Sequence, residues 1–525
     1  MMNLDANLEN NINALLNQVE LLDGHFNKDI VSIGNNKFAM DIFSFVIKGK
    51  NKDKQIYLTG VYKLGVIELL NHLGVYSKKV YNSDVFVRIV DNVIEEISVK
   101  AIKDVLNHYL NQLPSLSVDY DGCFETYSKE AQIETFFKQT HLVINESFLS
   151  YLKKDESEIL TDTADCAYIP YKNGIIKVTA NSVIKLEYAE LQDKVVWRNN
   201  IISREIRNKE IGGNFSDFIA NVSNQEPKRI ETLKSAIGYL LHSCHHSSGG
   251  QMVLLYDETI TDLNNPQGGT GKGLIANSVS NIRKTLKIDG KKFKGDNRFD
   301  FQEVDFSTRI LWLDDVSKHL DIDRFNSIST DGFNVEKKFK VSYKIPSNQS
   351  PKILICSNII LDCSGTTRKR RQFIVELSSF YSSKIRTGIE EPIIQTHGTR
   401  FFTDEWDDKE WNCFDWYMIG CLQLYLSKGL LYNPSINVIE NRTRQLIGED
   451  FFNWAKEQKF DIAKEYSTKE MFEDYRELFE KGNDKFTQRT FSNKLKAFFN
   501  QKEWKIEFFY KPSGSSKVSY FRIRN

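Results

Sequence analysis

The apolar run Met252–Tyr256 is followed by Asn265-Pro-Gln-Gly-Gly-Thr-Gly-Lys-Gly-Leu274, which leads into a second apolar stretch with helical spacing. Strand, glycine-rich loop and helix in that order commit this region to an α/β core around a buried strand. The loop also carries chemistry. A phosphate chain needs backbone N–H groups that approach closely, which glycine permits, together with a positive charge and a helix N-terminus. Gly268, Gly269, Thr270, Gly271, Lys272 and Gly273 form that candidate cradle, with Lys272 supplying the charge. The spacing is that of GxxxxGK[ST] with two departures: Pro266 stands at the first glycine, and Gly273 at the hydroxyl that holds Mg²⁺. Taken alone, a glycine-rich turn with an incidental lysine is the competing reading.

Two further apolar strands follow. Ile310-Leu-Trp-Leu-Asp-Asp315 ends in paired carboxylates, and Pro351-Lys-Ile-Leu-Ile-Cys-Ser-Asn358 ends in a polar pair. Acids at a strand's C-terminal end present themselves where Mg²⁺ and an attacking water sit in phosphate-cleaving α/β proteins. Asn358 is placed to sense a terminal phosphate or to orient water. Thr367-Arg-Lys-Arg-Arg371 then offers Arg368, Arg370 and Arg371 as planar forks for phosphate oxygens. Each segment has a bland alternative (a solvated turn), but loop, acids, asparagine and arginines in this order point jointly to nucleotide chemistry.

The rest of the chain sets the frame. Its 525 residues suggest three to five domains. No apolar run approaches the roughly 20 residues of a membrane span. The seven cysteines are scattered without a CxxC pair, so a thiol-reduced cytoplasmic protein is expected rather than a disulfide or zinc scaffold. Lys63–Leu73, Asn92–Leu113, Arg229–His242 and Glu405–Leu426 read as helices, and Ala167–Val178 as a hairpin turning at Lys172-Asn173-Gly174. Near the C-terminus, Ser467-Thr-Lys-Glu470 is a capping box opening a helix. Phe491, Leu495, Phe498 and Phe499 mark one face of another, and Trp504–Tyr510 and Val518–Ile523 alternate as strands. Helix, helix and hairpin is the rhythm of a winged-helix module.

Lysine and arginine total 70 and so do aspartate and glutamate, a zero balance that argues against a nucleic-acid partner only if charge is evenly spread. It is not. Val335–Lys352 holds Lys337, Lys338, Lys340, Lys344 and Lys352 against the single acid Glu336, interleaved with Phe339 and Tyr343. Lysines there would track phosphates and an aromatic, Phe339 or Tyr343, would stack on bases, worth about 1–3 kcal/mol per stacked base, with a solvated hairpin without ligand as the competing reading. From Lys481 onward eleven basic residues face three acids. A winged helix would place the Thr487–Asn500 helix in a groove and the Lys511–Lys517 wing on the backbone. Two other clusters are set aside: His242, Cys244, His245 and His246 form a polar helix end rather than a zinc site. Asp119-Tyr-Asp121 lacks the histidine or basic motif that would complete a priming site, so a loop is expected there.

The set GGTGKG (Gly268–Gly273), DGKKF (Asp289–Phe293), ILWLDDV (Ile310–Val316), VEKKFKVSYKIP (Val335–Pro346), SPKILICSN (Ser350–Asn358) and RKRR (Arg368–Arg371) resembles the superfamily-3 helicases. The resemblance is nearer to the primase-helicases of phages, plasmids and other mobile elements, and covers about Leu160–Leu431. It implies an α/β fold: an AAA+-like P-loop ATPase core with a mixed α/β N-terminal region and a C-terminal winged helix. The expected divisions are an N-terminal region (1–130), a pre-helicase domain (131–215), the ATPase core (216–432) and the winged helix (433–525). The resemblance further implies ATP and Mg²⁺, with Lys272 on phosphate, Asp314 and Asp315 on Mg²⁺ and water, and Asn358 as sensor. One of Arg368, Arg370 or Arg371 would be an arginine finger reaching a neighbour's nucleotide. It implies a hexamer-like ring on single-stranded DNA, gripped by the lysine-rich hairpin, with a separate primase or polymerase as possible partner. Two rivals stand beside the helicase reading: a P-loop ATPase that loads or remodels a replication complex without unwinding, and a nucleotide-regulated DNA-binding initiator without turnover.

Overall fold

In the computed structural model the strand β1 (Met252–Asp257) is buried along its whole length. The structure describes residues 22, 24–50, 53–245, 250–258, 268–293, 299–317, 320, 322, 325, 328–338, 342–361, 370–433, 436–462, 464–481, 483, 485–501, 504–513 and 516–524. After β1 come the helix α1 (Lys272–Ser280) and the strands β2 (Thr285–Asp289), β3 (Ile310–Asp314), β4 (Lys352–Cys356) and β5 (Gln372–Leu377). They form one sheet in the order β2-β3-β4-β1-β5 with every neighbouring pair parallel. Buried runs such as Leu311-Trp312-Leu313 and Ile353-Leu354-Ile355 are what a parallel sheet covered on both faces requires.

The two faces are covered by different material. Val253, Leu255, Ile310 and Leu354 pack into a cluster with the helices Asn214–Val222, Pro227–Leu241 and Asp408–Lys428 and with the hairpin Cys166–Tyr171/Gly174–Thr179. On the other face, Leu254, Leu311, Leu313 and Ile355 meet Phe293, Phe301, Phe306 and the small antiparallel pair Phe333–Val335/Tyr343–Ile345. Each such fully buried aliphatic side chain contributes about 1.5–3 kcal/mol. Strand ends are thereby held in register, and that is what positions the site.

The N-terminal part builds its own core from a four-stranded antiparallel sheet, the helices Lys63–His72, Val99–Gln112 and Lys129–Val143, and the hairpin Leu116–Tyr120/Cys123–Tyr127. A second sheet joins the strands Val75–Val80, Ser83–Val90 and Val93–Glu96 to Lys194–Trp197 and Glu158–Ile159. Residue 130 falls inside the helix Lys129–Val143, whose Phe136 belongs to the N-terminal core.

The single helix expected over Asn92–Leu113 is instead a strand, Val93–Glu96, followed by the helix Val99–Gln112. Val93 and Ile97 satisfy either period. The decision falls to Asp91 and Asn92, both at positive φ in a tight turn, and to the buried Arg88–Glu95 ion pair at 3.0 Å. Ser98 then caps the helix, its hydroxyl accepting from Ala101 N at 3.1 Å.

At the C-terminus, the helices Ile436–Ile447, Glu449–Glu457, Thr468–Phe479 and Gln488–Asn500 pack on a three-stranded sheet of Glu465–Ser467, Ser516–Arg524 and Lys505–Ser513. Phe451, Phe491, Leu495, Phe498, Phe499 and Phe521 fill its core. Ser467 caps its helix by accepting from Glu470 N, as the capping box predicts, although the helix begins at Thr468.

Candidate functional site

The loop after β1 delivers Lys272 as the first residue of α1, capped by Gly271 at φ +107°. That backbone belongs to the left-handed region, and a Cβ at Gly271 would lie 2.8 Å from the Phe218 ring, so only glycine fits. The N–H groups of Lys272 and Gly273 open α1 at the positive end of its dipole, while Leu274 N donates to Gly271 O at 3.0 Å. Lys272 is only 8% exposed, and its Nζ donates to Asp257 Oδ1, the last residue of β1, at 2.5 Å. Thr270 Oγ1 donates to the same oxygen.

Across from the loop, β3 and β4 end side by side, with Asp314 in register with Cys356. Asp314 pairs with Lys287 at 2.8 Å and Asp315 with Lys291 at 2.5 Å, and the Asp315 contact raises the Lys291 pKa. Asp315 stands at φ +53°, a left-handed residue just past the end of the strand. Asn358 Nδ2 donates to Asp315 Oδ1 at 3.3 Å, while Asn358 Oδ1 is buried without a hydrogen-bond partner.

These groups line one cavity of about 470 Å³, within the range of small-molecule sites at about 300–1,000 Å³. Gly269, Thr270, Gly271, Lys272 and Gly273 form one wall, and Asp314, Asp315 and Asn358 another. A third wall is apolar: Tyr381, Ile385, Pro392 and Ile393. Tyr381 is fixed through its hydroxyl, which accepts from Asn221 Nδ2 at 3.1 Å and shares a hydrogen bond with His397 Nε2 at 2.7 Å. Burial raises its pKa to about 12 and lowers that of His397, so the pair is neutral near pH 7. The cavity thus opens at the C-terminal ends of β1, β3 and β4, where open α/β sheets bind ligands.

Sequence reasoning missed Asp257, Asn277, Lys287 and this apolar wall. Asp257 was readable as the polar end of the first strand. The wall comes from short helices, Phe380–Arg386 and Pro392–His397, too brief to carry a helical period.

Other expected residues lie elsewhere. Arg368 and Lys340 fall outside the described residues. Arg370 and Arg371 sit at the N-terminal end of β5, where Arg371 O accepts from Met252 N and Arg370 O from Gln251 Nε2. The six residues of β5, roughly 20 Å of strand, separate them from the loop end of the sheet. They do not join their own chain's cavity.

Tyr343 is a correction. Its ring is 5% exposed, packs 4.5 Å from Phe306, and its hydroxyl donates to Val304 O at 2.8 Å, so it is core and has no face for a base. Alternation explains this: on so short a strand Tyr343 and Ile345 point inward while Lys344 points out. Lys338 and Lys344 are exposed, and Lys337 lies half-buried with its ammonium 5.6 Å from the Tyr343 ring. Lys352 also leaves the basic surface, being 1% exposed with Nζ donating to Tyr239 O.

His242 Nε2 meets Thr163 O at 2.7 Å and His245 Nε2 meets Ser350 O at 2.8 Å. Burial lowers both to about 4, as structural imidazoles. Asp121 closes a hairpin turn at φ +52° and pairs with Lys54 at 2.6 Å.

No cluster of three or more His, Cys, Asp or Glu side chains assembles among the described residues. Mg²⁺ needs less, since it is commonly held by one or two carboxylates together with substrate phosphates and water. Asp314, Asp315 and the orphaned Asn358 Oδ1 are a hard-oxygen donor set of that type, and the hydroxyl missing at Gly273 is its one gap. Among the described residues no helix is long and apolar enough to cross a membrane.

No protein-family model matches the chain. No curated protein matches it. Among solved structures, the apo structure of the NrS-1 C-terminal region (305–718) is similar over 90% of this chain and all of its own, at 10% identity and a TM-score of 0.40. The A form of the apo NrS-1 C-terminal region is similar over 87% of this chain and 98% of its own, at 9% identity and a TM-score of 0.36. A JCV helicase bound to a thiazolopyridine acetamide is similar over 46% of this chain and 63% of its own, at 12% identity and a TM-score of 0.25.

Proposed function

We propose that the chain is an ATP-dependent DNA helicase of superfamily-3 type that replicates a phage or other mobile element, working as a ring on single-stranded DNA. The observation that carries the reading is the meeting of Lys272, Asp314, Asp315 and Asn358 around one cavity, although Lys272 and Asn358 stand 86 positions apart in sequence. On this reading the loop is a P-loop, the five-stranded sheet is its ATPase core, and the last 93 residues (433–525) form a winged helix.

ATP would lay its phosphates along Gly269–Gly273, with Lys272 drawing negative charge off the β- and γ-phosphates. Its base would rest on Tyr381, Ile385, Pro392 and Ile393. Asp314 and Asp315 would hold Mg²⁺, which when bound neutralises charge on the phosphate oxygens. Asn358 is placed to orient the attacking water or to read the terminal phosphate. Arg370 and Arg371 lie at the far end of the sheet from their own cavity, so a finger role for either would have to be played at a neighbouring subunit's nucleotide. Lys338 and Lys344 would meet the DNA backbone in the ring channel.

Phosphate release by the full chain, measured with and without single-stranded DNA, tests the reading. Turnover that DNA stimulates and Lys272→Ala abolishes is expected. A DNA-binding protein with no turnover is the second reading, and Gly273 is the observation that favours it, because it leaves Mg²⁺ without its usual hydroxyl. Strand displacement from a forked duplex separates unwinding from loading or remodelling.

A further inference from the structure

We propose that Asp257 is a positioning residue that competes with nucleotide phosphate for the Lys272 ammonium, a role that rests on the reading of the cavity as an ATP site. Asp257 is 4% exposed at the end of β1, and its Oδ1 accepts from both Lys272 Nζ and Thr270 Oγ1. Thr270 and Lys272 line the cavity, whereas Asp257 does not. The carboxylate therefore lies behind the loop and draws the ammonium back from the space where phosphate would sit.

A buried ammonium needs a counter-charge, and without phosphate Asp257 provides it. When phosphate arrives, two anions share one cation at short range. The carboxylate keeps the Thr270 hydroxyl as donor and yields the lysine, so the loop holds its shape while the charge changes partner. Asp257 then weakens nucleotide binding through like-charge repulsion and withdraws Lys272 whenever the site empties. A carboxylate that merely braced the loop would act in the opposite sense, since its removal would loosen the cradle and lose affinity.

The experiment is an equilibrium titration of the full chain with a fluorescent ADP (mant-ADP) in Mg²⁺, displaced by unlabelled ADP. It compares the wild type with Asp257→Asn and Asp257→Ser, two replacements that share only the loss of charge. Both should bind at least about tenfold tighter, since removing one unit charge several ångströms away at an effective dielectric near 20 is worth that much or more. Equal or weaker binding by folded variants, with far-UV circular dichroism unchanged, overturns the competition. If the wild type itself binds no mant-ADP, the ATP reading of the cavity falls and this role falls with it. Wild-type binding with no gain in either variant removes this role alone.

Discussion

Asn358 donates from Nδ2 to Asp315 Oδ1 at 3.3 Å, tying together the ends of two adjacent parallel strands. The amide's other end, Oδ1, is buried at the cavity without a partner, an unmet acceptor that costs about 1–3 kcal/mol. Such an atom is expected where a ligand or its water completes the bond. Asn358→Ala should therefore spare nucleotide affinity, within about twofold, while cutting turnover about a hundredfold, the scale of losing one transition-state hydrogen bond, here the one Oδ1 would accept from the attacking water. Steady-state phosphate release beside a binding titration checks this. Equal losses in both would make Asn358 a binding residue instead.

Gly273 offers the converse test, a gain. A Cβ at this position meets nothing within 4 Å, so a side chain enters without displacing a neighbour. Gly273→Ser restores the hydroxyl of the P-loop pattern and replaces a helical glycine, which adds a few tenths of a kcal/mol to helix stability. The variant should reach half-maximal phosphate release at several-fold lower Mg²⁺ and turn over faster. An unchanged Mg²⁺ titration would show that this chain holds the ion without that position.

Much of this site was legible because its parts end buried strands. Met252–Tyr256, Ile310–Leu313 and Ile353–Cys356 are short apolar runs of the kind a covered parallel sheet uses, and in such a sheet the residues after them meet at one edge. Two kinds of information were hidden. The apolar wall around Tyr381 and Ile385 comes from short helices whose placement is set by Asn221 and His397, contacts of no sequence period. Tyr343 and Lys352 were misread because composition counts a residue's charge or ring without its direction. On a buried strand end, alternation and packing decide whether that group meets water.

On the proposed reading the hairpin Phe333–Val335/Tyr343–Ile345 would separate stability from DNA contact. Tyr343→Ala should destabilise the fold by about 3–5 kcal/mol, as loss of a buried aromatic does, and lower the thermal midpoint. Lys338→Ala with Lys344→Ala should leave that midpoint unchanged, weaken single-stranded DNA and flatten its salt dependence, since each lost phosphate contact releases fewer counterions. Anisotropy titrations at two salt concentrations beside thermal melts distinguish the two outcomes. A double lysine variant with wild-type affinity and salt slope would place DNA elsewhere.

Lys352 predicts a pH dependence of stability. Its Nζ donates to Tyr239 O at 2.6 Å and lies 3.7 Å from the Tyr239 ring centroid. Burial, helped by Arg283 and opposed by Asp162 and Cys244, pushes the ammonium from 10.5 down to about 7. Between those values the unfolded chain binds a proton that the folded one does not, so stability rises with pH across that window. Below about 7 both states are protonated and the full penalty of burying the charge remains. The wild type should gain on the order of a few kcal/mol from pH 7 towards pH 10 through this group. Lys352→Met removes the titration and keeps the packing, so its urea-unfolding free energy should rise less over the same interval. His242 and His245 titrate lower, and the remaining groups are shared, so the difference between the two slopes isolates Lys352. Parallel slopes would mean that the ammonium stays charged in the folded protein, with Asp162 as its counter-charge.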